Sequence, residues 1–242
     1  MAIGAFFDID GTLYRDSLMI EHFKKLVKYE VFDPNLWHSH VKLTYEMWKK
    51  RRGDYDDYML ELAELYINSL KGINMSEIEF IADQVINLKG DSVYAYTRDQ
   101  ISWHHSQGHK VFFISGSPEF LVRKMAAKYE ATDYRGTKYI TDETGHFTGT
   151  IIQMWDSESK DKAIKDLVDK YNIDLSVSYA YGDTNGDLSM LSQVGYPIAI
   201  NPTQELLENI RKDAFLKVHT DIIVERKDNI YKLTPDVTVI KK

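Results

Sequence analysis

The chain has 242 residues, 43% of them hydrophobic and 28% charged, with 13 glycines and 5 prolines, a globular composition long enough for a sizeable core. A formal net charge of −7 speaks against a nucleic-acid-binding surface, and the absence of cysteine excludes disulfides, thiolate nucleophiles and Cys-type zinc sites. No window approaches 18 consecutive apolar residues, and the first apolar run meets two aspartates within ten residues, so neither a membrane span nor a secretory leader is expected and the setting is read as cytoplasmic.

In chain order, the apolar run Ile3 to Phe7 is a strand that ends in Asp8 and Asp10, followed by Gly11, Thr12 and Leu13. The next stretch is helical. "SLMIEHFKKLVKYEVF", "HVKLTYEMWKKR", "YDDYMLELAELYINSL" and "SEIEFIADQVINL" all repeat apolar residues at three- and four-residue spacing, with breaks at Pro34, Gly53 and Gly72. From about Asp91 the pattern alternates: "DQISWHHSQG" precedes the strand "KVFFIS", "KDKAIKDLVDKY" precedes "VSYAYGD", and "DLSMLSQV" precedes "GYPIAI". Such alternation predicts a parallel sheet covered by helices, while "RGTKYITDETGHFTGTII" reads as a hairpin. The expected fold is therefore α/β, a Rossmann-like parallel sheet with a helical cap inserted after the first strand. Residues 15–90 would form the cap, and residues 1–14 and 91–242 the core.

Three of these strands pass from apolar residues to Asp, Ser or Gly, and in a parallel sheet such ends lie on one edge, where ligands bind. Alternation along an extended strand end puts the side chains of Asp8 and Asp10 on one side, with Ile9 opposite. Ser115-Gly116-Ser117, before a helix start near Pro118, offers hydroxyls, free amides and a helix N-terminus to a phosphate, although Ser115 also suits a simple N-cap. A lysine, Lys160 or Lys162, lies on the helix before "VSYAYGD", and "GDTNGD" adds Asp183 and Asp187. Four carboxylates need a cation among them, and oxygen-only ligands favour a hard ion such as Mg²⁺. A carboxylate can then attack phosphorus, and a second can protonate the leaving oxygen.

Asp8-x-Asp10-Gly-Thr, Ser115-Gly-Ser, a lysine and Gly182-Asp183-x-x-x-Asp187 resemble, in order, the four motifs of the haloacid-dehalogenase-like phosphatases, over residues from Ile3 to about Leu191. The helical block resembles the cap of the phosphoserine-phosphatase-like branch. The resemblance implies Asp8 as nucleophile and Asp10 as general acid/base, with Lys160 preferred over Lys162 as the catalytic lysine. It implies Mg²⁺ held by Asp8, the Asp10 carbonyl and Asp183, supported by Asp187, and phosphate held by Ser115 and Gly116 with Thr12 and Ser117. The implied activity is Mg²⁺-dependent hydrolysis of a small phosphorylated metabolite through an aspartyl-phosphate, with no nucleic-acid or membrane partner. Phosphoserine phosphatase proper, a phosphotransferase or mutase, and a non-catalytic phosphometabolite-binding module are the alternatives. Two departures bear on substrate: Ser17 stands where phosphoserine phosphatases carry a glutamate that helps bind the amino group, and Gly186 stands where they commonly carry Asn.

Other features read as structural. "KKRRGD" at 49–54 is expected to be a solvated helix end. His38, His40, His104 and His105 lack carboxylates at metal-ligand spacing, and Tyr45, Trp48, Tyr55 and Tyr58 read as bundle core.

Overall fold

A computed structural model describes residues 1–50, 52 and 55–240, and the side chains at 40 and 55–57 are outside the description. The break at Gly53, most of "RRGD", and the His40 and Tyr55 side chains therefore lie outside the described residues. The strands are β1 (Gly4–Phe7), β2 (Lys110–Pro118), β3 (Asp133–Thr141), β4 (Phe147–Ile152), β5 (Tyr179–Gly182), β6 (Tyr196–Ile200), β7 (Asp221–Arg226) and β8 (Asn229–Leu233). They form one sheet in the order β4-β3-β2-β1-β5-β6-β7-β8, parallel except where β4 and β8 run antiparallel to their neighbours. The helices are α1 (Leu18–Lys28), α2 (Lys42–Lys49), α3 (Tyr55–Leu70), α4 (Met75–Lys89), α5 (Ala95–Ser106), α6 (Glu119–Lys128), α7 (Ser157–Tyr171), α8 (Leu188–Gln193), α9 (Gln204–Lys212) and α10 (Ala214–His219).

The period of two along the inner strands sorts the core onto two faces. Ala5, Phe7, Val111 and Phe113 join one buried cluster, while Phe6, Phe112 and Ile114 join the other. Ala163, Ile164 and Leu167 of α7 cover the second face, and α6 covers the first with Leu121, Val122 and Met125. The six predicted strand runs are all present, and the sheet extends past them through β7 and β8. The apolar run of β7 is short and β8 is an exposed edge strand, so neither carries a strong alternation.

The chain leaves the sheet and re-enters it through one short pairing. Tyr14 bridges Val93 antiparallel, the Tyr94 amide donates to the Leu13 carbonyl (2.9 Å) and that of Arg15 to Ser92 (3.0 Å). Between these points lie α1 to α4 and a π-helical turn at Trp37–Val41. Helix α1 stops at Lys28, earlier than its apolar spacing suggests, because Glu30 takes a left-handed φ of 58°. Tyr58 is buried against Tyr45 and Trp48, at 5.3 and 5.8 Å between ring centroids. The helical block is not isolated from the sheet: the α3–α4 connection pairs with the β3–β4 hairpin, through the Gly72 amide on Phe147 and the Met75 amide on Gly145 (both 2.8 Å).

His104 is buried between Tyr181 and His109, and His38 and His105 are exposed. His22 on α1 is fully buried. Its Nε2 must donate to the Ile78 carbonyl (3.2 Å), so its Nδ1 accepts from the Tyr66 hydroxyl (2.6 Å), and the neutral ring is satisfied on both sides. Burial, helped by nearby Lys124 and opposed by the bond to the Ile78 carbonyl, pushes its pKa down to about 3. The unfolded histidine takes up its proton near pH 6.5 while the folded one does not, so its contribution is complete above that pH and is lost as pH falls. Acidification from pH 6.5 to 4.5 should cost up to about 1.4 kcal/mol of stability per pH unit from this group. Chemical denaturation of wild type and His22→Gln across that range checks this: the variant should lose a measurable part of the pH slope, whatever its stability at pH 7.

Candidate active site

The sheet order reverses direction at β1. The chain proceeds from β1 to β2 and β3 on one side, and from β5 to β6 and β7 on the other. The carboxyl ends of β1, β2 and β5 border the crevice at this switch point, where ligands bind in open α/β folds. Asp8 extends β1 by donating its amide to the Tyr181 carbonyl (3.0 Å), and its side chain is buried. Gly11 then turns the backbone with φ +85°. A Cβ there would overlap the Asp183 carboxylate, so the glycine both makes the turn and leaves room for Asp183.

Lys160 is in the first turn of α7, 3% exposed, and the structure brings it rather than Lys162 to the carboxylates. Its Nζ donates to Asp8 Oδ1 (2.8 Å) and Asp187 Oδ1 (2.5 Å), while Lys162 is exposed and paired with Glu158. Asp187 is fully buried and its other oxygen accepts from the amides of Asp183 (3.0 Å) and Thr184 (3.1 Å). It therefore ties together β5, the following turn and α7. Asp8, Asp183 and Asp187 each bring an oxygen within 4.8 Å of the others.

Asp10 is held separately. Its Oδ1 accepts from the Leu18 amide (3.0 Å), and its Oδ2 from the hydroxyls of Ser117 (2.5 Å) and Ser17 (3.4 Å). Ser115 and Gly116 line the cavity, with the Ser115 hydroxyl accepting from the Ser117 amide at 3.2 Å. Thr12 departs from its expected place on the phosphate. It is fully buried, is not a wall of the cavity, and donates its hydroxyl to Asp183 Oδ1 (2.9 Å), because the turn at Gly11 folds it under that carboxylate.

The electrostatics are those of an undercompensated anionic cluster. Burial pushes Asp8 up to about 8 against the pull of Lys160, and Asp187 and Asp10 add to the rise. Burial pushes Asp10 up to about 6 despite its bond from Ser117. Asp183 is raised well above the usual carboxylate range by burial and by the charges of Asp187 and Asp8. Burial disfavours the Lys160 ammonium, yet Asp187 and Asp8 hold its pKa above the ordinary value. One buried cation among four carboxylates leaves surplus negative charge. The donor set is entirely oxygen, which fits a hard divalent ion.

A cavity of about 340 Å³ is lined by Asp8, Asp10 and Lys160 of this group. Its remaining walls include Ser17, Met19, Met59, Leu60, Ala63 and Trp155, of which only Ser17 stands out in the sequence. Trp155 is fixed by two glycines. A Cβ on Gly116 would stand 2.8 Å from Trp155 Cβ, and one on Gly186 would stand 2.5 Å from the Trp155 carbonyl oxygen. The second contact explains why position 186 is glycine here: an asparagine cannot fit without moving the backbone at Trp155. No sequence pattern marks Trp155, since an aromatic in a loop before a helix is common.

The family model of the haloacid dehalogenase-like hydrolases matches residues 5–192. An inhibition of morphological differentiation protein from Streptomyces azureus is 27% identical over 204 residues, covering 84% of this chain and 73% of the relative. A histidinol-phosphatase from Neisseria meningitidis is 25% identical over 207 residues, covering 84% and 91%. Among solved structures, a phospho-aspartyl intermediate analogue of phosphoserine phosphatase superposes with a TM-score of 0.60 at 19% identity, covering 94% of this chain and 95% of that one. With the match running from β1 through α8 and enclosing every carboxylate of the crevice, the chain belongs to the haloacid dehalogenase-like hydrolase family.

Proposed function

We propose that the protein is a Mg²⁺-dependent phosphomonoesterase that cleaves a small phosphate ester through a covalent aspartyl-phosphate on Asp8. The carrying observation is the group of Asp8, Asp183 and Asp187, with the buried Lys160 bonded to Asp8 and Asp187, beside a cavity that Asp8, Asp10 and Lys160 line. Relatives bearing phosphatase names support the reaction class.

In this reading Lys160 fixes the Asp8 carboxylate through Oδ1 so that it faces phosphorus. Ser115 and the Gly116 amide bind the phosphate oxygens. Asp10, oriented by Leu18, Ser117 and Ser17, gives its proton to the leaving oxygen as the P–O bond breaks and the Asp8–P bond forms. It then takes a proton from the water that cleaves the acyl phosphate, which restores Asp8 and releases inorganic phosphate. Asp8, the Asp10 carbonyl and Asp183 would hold Mg²⁺, which supplies the positive charge that lets an anionic ester approach an anionic carboxylate. Thr12 and Asp187 position these ligands. Residues 15–90 serve as the cap over a core of 1–14 and 91–242, since Met19, Met59, Leu60 and Ala63 lie opposite the sheet edge. A closed cap excludes water from the acyl phosphate.

The test is hydrolysis of p-nitrophenyl phosphate by the full chain. Activity should need Mg²⁺, vanish in EDTA, return on Mg²⁺ addition, and fall when Ca²⁺ competes, because Ca²⁺ accepts more ligands and can take both Asp8 oxygens. Full activity in EDTA refutes the reading.

A further inference from the structure

Resting on the phosphatase reading, we infer that the group esterified to the phosphate is an uncharged, apolar alkyl or aryl residue. Beyond the acidic cluster and the phosphate loop, the cavity wall has a polar side of Ser17, Thr184 and Asn185 and an apolar side of Met19, Met59, Leu60, Ala63 and Trp155. Met19 is the second residue of α1; Met59, Leu60 and Ala63 come from consecutive turns of α3. Trp155 belongs to the segment before α7, and its backbone is packed against Gly116 and Gly186. Leu60 is 59% exposed, although it belongs to the wall of a cleft. An apolar side chain left open over a site has area to gain from an apolar ligand.

The charged alternatives lack partners among the described lining residues. The only cation there is Lys160, already bound to Asp8 and Asp187, so a substrate carboxylate finds no counter-charge. An ammonium group fares no better. Asp10 already accepts three hydrogen bonds, Asp8 is committed to Lys160 and to phosphorus, and Ser17 offers a hydroxyl where a carboxylate would be needed. Ser17 is itself fully buried as the N-cap of α1. Asp16, next to it, receives the Ser17 amide (3.0 Å) and is exposed outside the cavity wall. Desolvating either ionic group without a partner is costly, whereas burying methylenes is favourable.

Two measurements on the full chain with Mg²⁺ test this. Calorimetric binding of a methyl-to-hexyl series of alkylphosphonates, which cannot be hydrolysed, should tighten up to about fourfold per methylene until the cavity is filled, the equivalent of ~0.8 kcal/mol. Leu60→Asn, at a position that is 59% exposed, should flatten that slope. In turnover, kcat/KM for hexyl or phenyl phosphate should exceed that for phosphoserine and glycerol phosphate by at least tenfold. A flat phosphonate series, or phosphoserine or glycerol phosphate leading the panel, overturns the inference even if the enzyme is an active phosphatase. A steep series with no turnover of any ester leaves the apolar chamber standing and overturns the phosphatase reading instead.

Discussion

Asp8→Asn is expected to lower turnover of every phosphate ester by roughly 10⁴–10⁶-fold, the scale on which an enzyme loses its nucleophile. An amide has nearly the carboxylate's shape, so the crevice need not rearrange. Lys160 would keep its 2.5 Å bond to Asp187 and could still donate to the amide oxygen, so no buried charge loses its last partner. The substitution instead removes a carboxyl group whose ionisation is already opposed by burial and by the neighbouring carboxylates. Without Mg²⁺, thermal stability should therefore be unchanged or raised while activity is gone. This combination separates a lost nucleophile from a damaged fold. In wild type a trapped phosphoryl or beryllofluoride group should map to Asp8. A label on another residue, or an Asp8→Asn enzyme retaining more than a few per cent of activity, would remove Asp8 from the role.

The parts of this site that were legible in the sequence are those tied to strand ends. Asp8, Ser115 and Asp183 each follow a run of buried apolar residues, and a parallel sheet brings such ends to one edge whatever the side chains beyond them do. Choosing Lys160 over Lys162 depends on the rotation of α7 about its axis. Two residues on a helix differ by about 200°. That rotation separates 3% from 70% side-chain exposure here. Thr12 lies elsewhere than its motif suggests because motif order gives proximity but not which of two neighbours a hydroxyl reaches, and the buried Asp183 oxygen takes it. The cavity wall is the least legible part. Met19, Met59, Leu60 and Ala63 share the three- and four-residue spacing of ordinary core positions, and only the docking of α1 and α3 over the crevice turns them toward the cavity. Trp155 depends on Gly116 and Gly186, both distant in the chain, which approach its backbone. The pairing of the α3–α4 connection with the β3–β4 hairpin is likewise invisible in the sequence, because it joins loops through backbone groups.

Asp10→Asn is expected to cost about 10²–10⁴-fold in turnover of alkyl phosphates, the usual worth of a positioned proton transfer. The three hydrogen bonds that fix Asp10 make the prediction specific. The Leu18 amide can only donate, so it will keep the oxygen of the substituted side chain on the Oδ1 side, and the new NH₂ will face Ser117 and Ser17. Their hydroxyls can rotate and accept, so the side chain should hold its place and the N-terminus of α1 should stay anchored. The backbone carbonyl is untouched, so Mg²⁺ affinity should change little. What disappears is the ability to deliver a proton to the leaving oxygen and to take one from water. A leaving group that is already stable as an anion needs no such delivery, so the first step with p-nitrophenyl phosphate should suffer far less than with an alkyl phosphate. Because the second step, hydrolysis of the phosphoryl-Asp8, still lacks its base, the variant should show a burst of one equivalent of p-nitrophenol followed by slow turnover. Rapid-quench measurement of that burst checks both halves of the role at once. Equal losses for aryl and alkyl esters, with no burst, would mean that Asp10 organises the α1 terminus without carrying the proton.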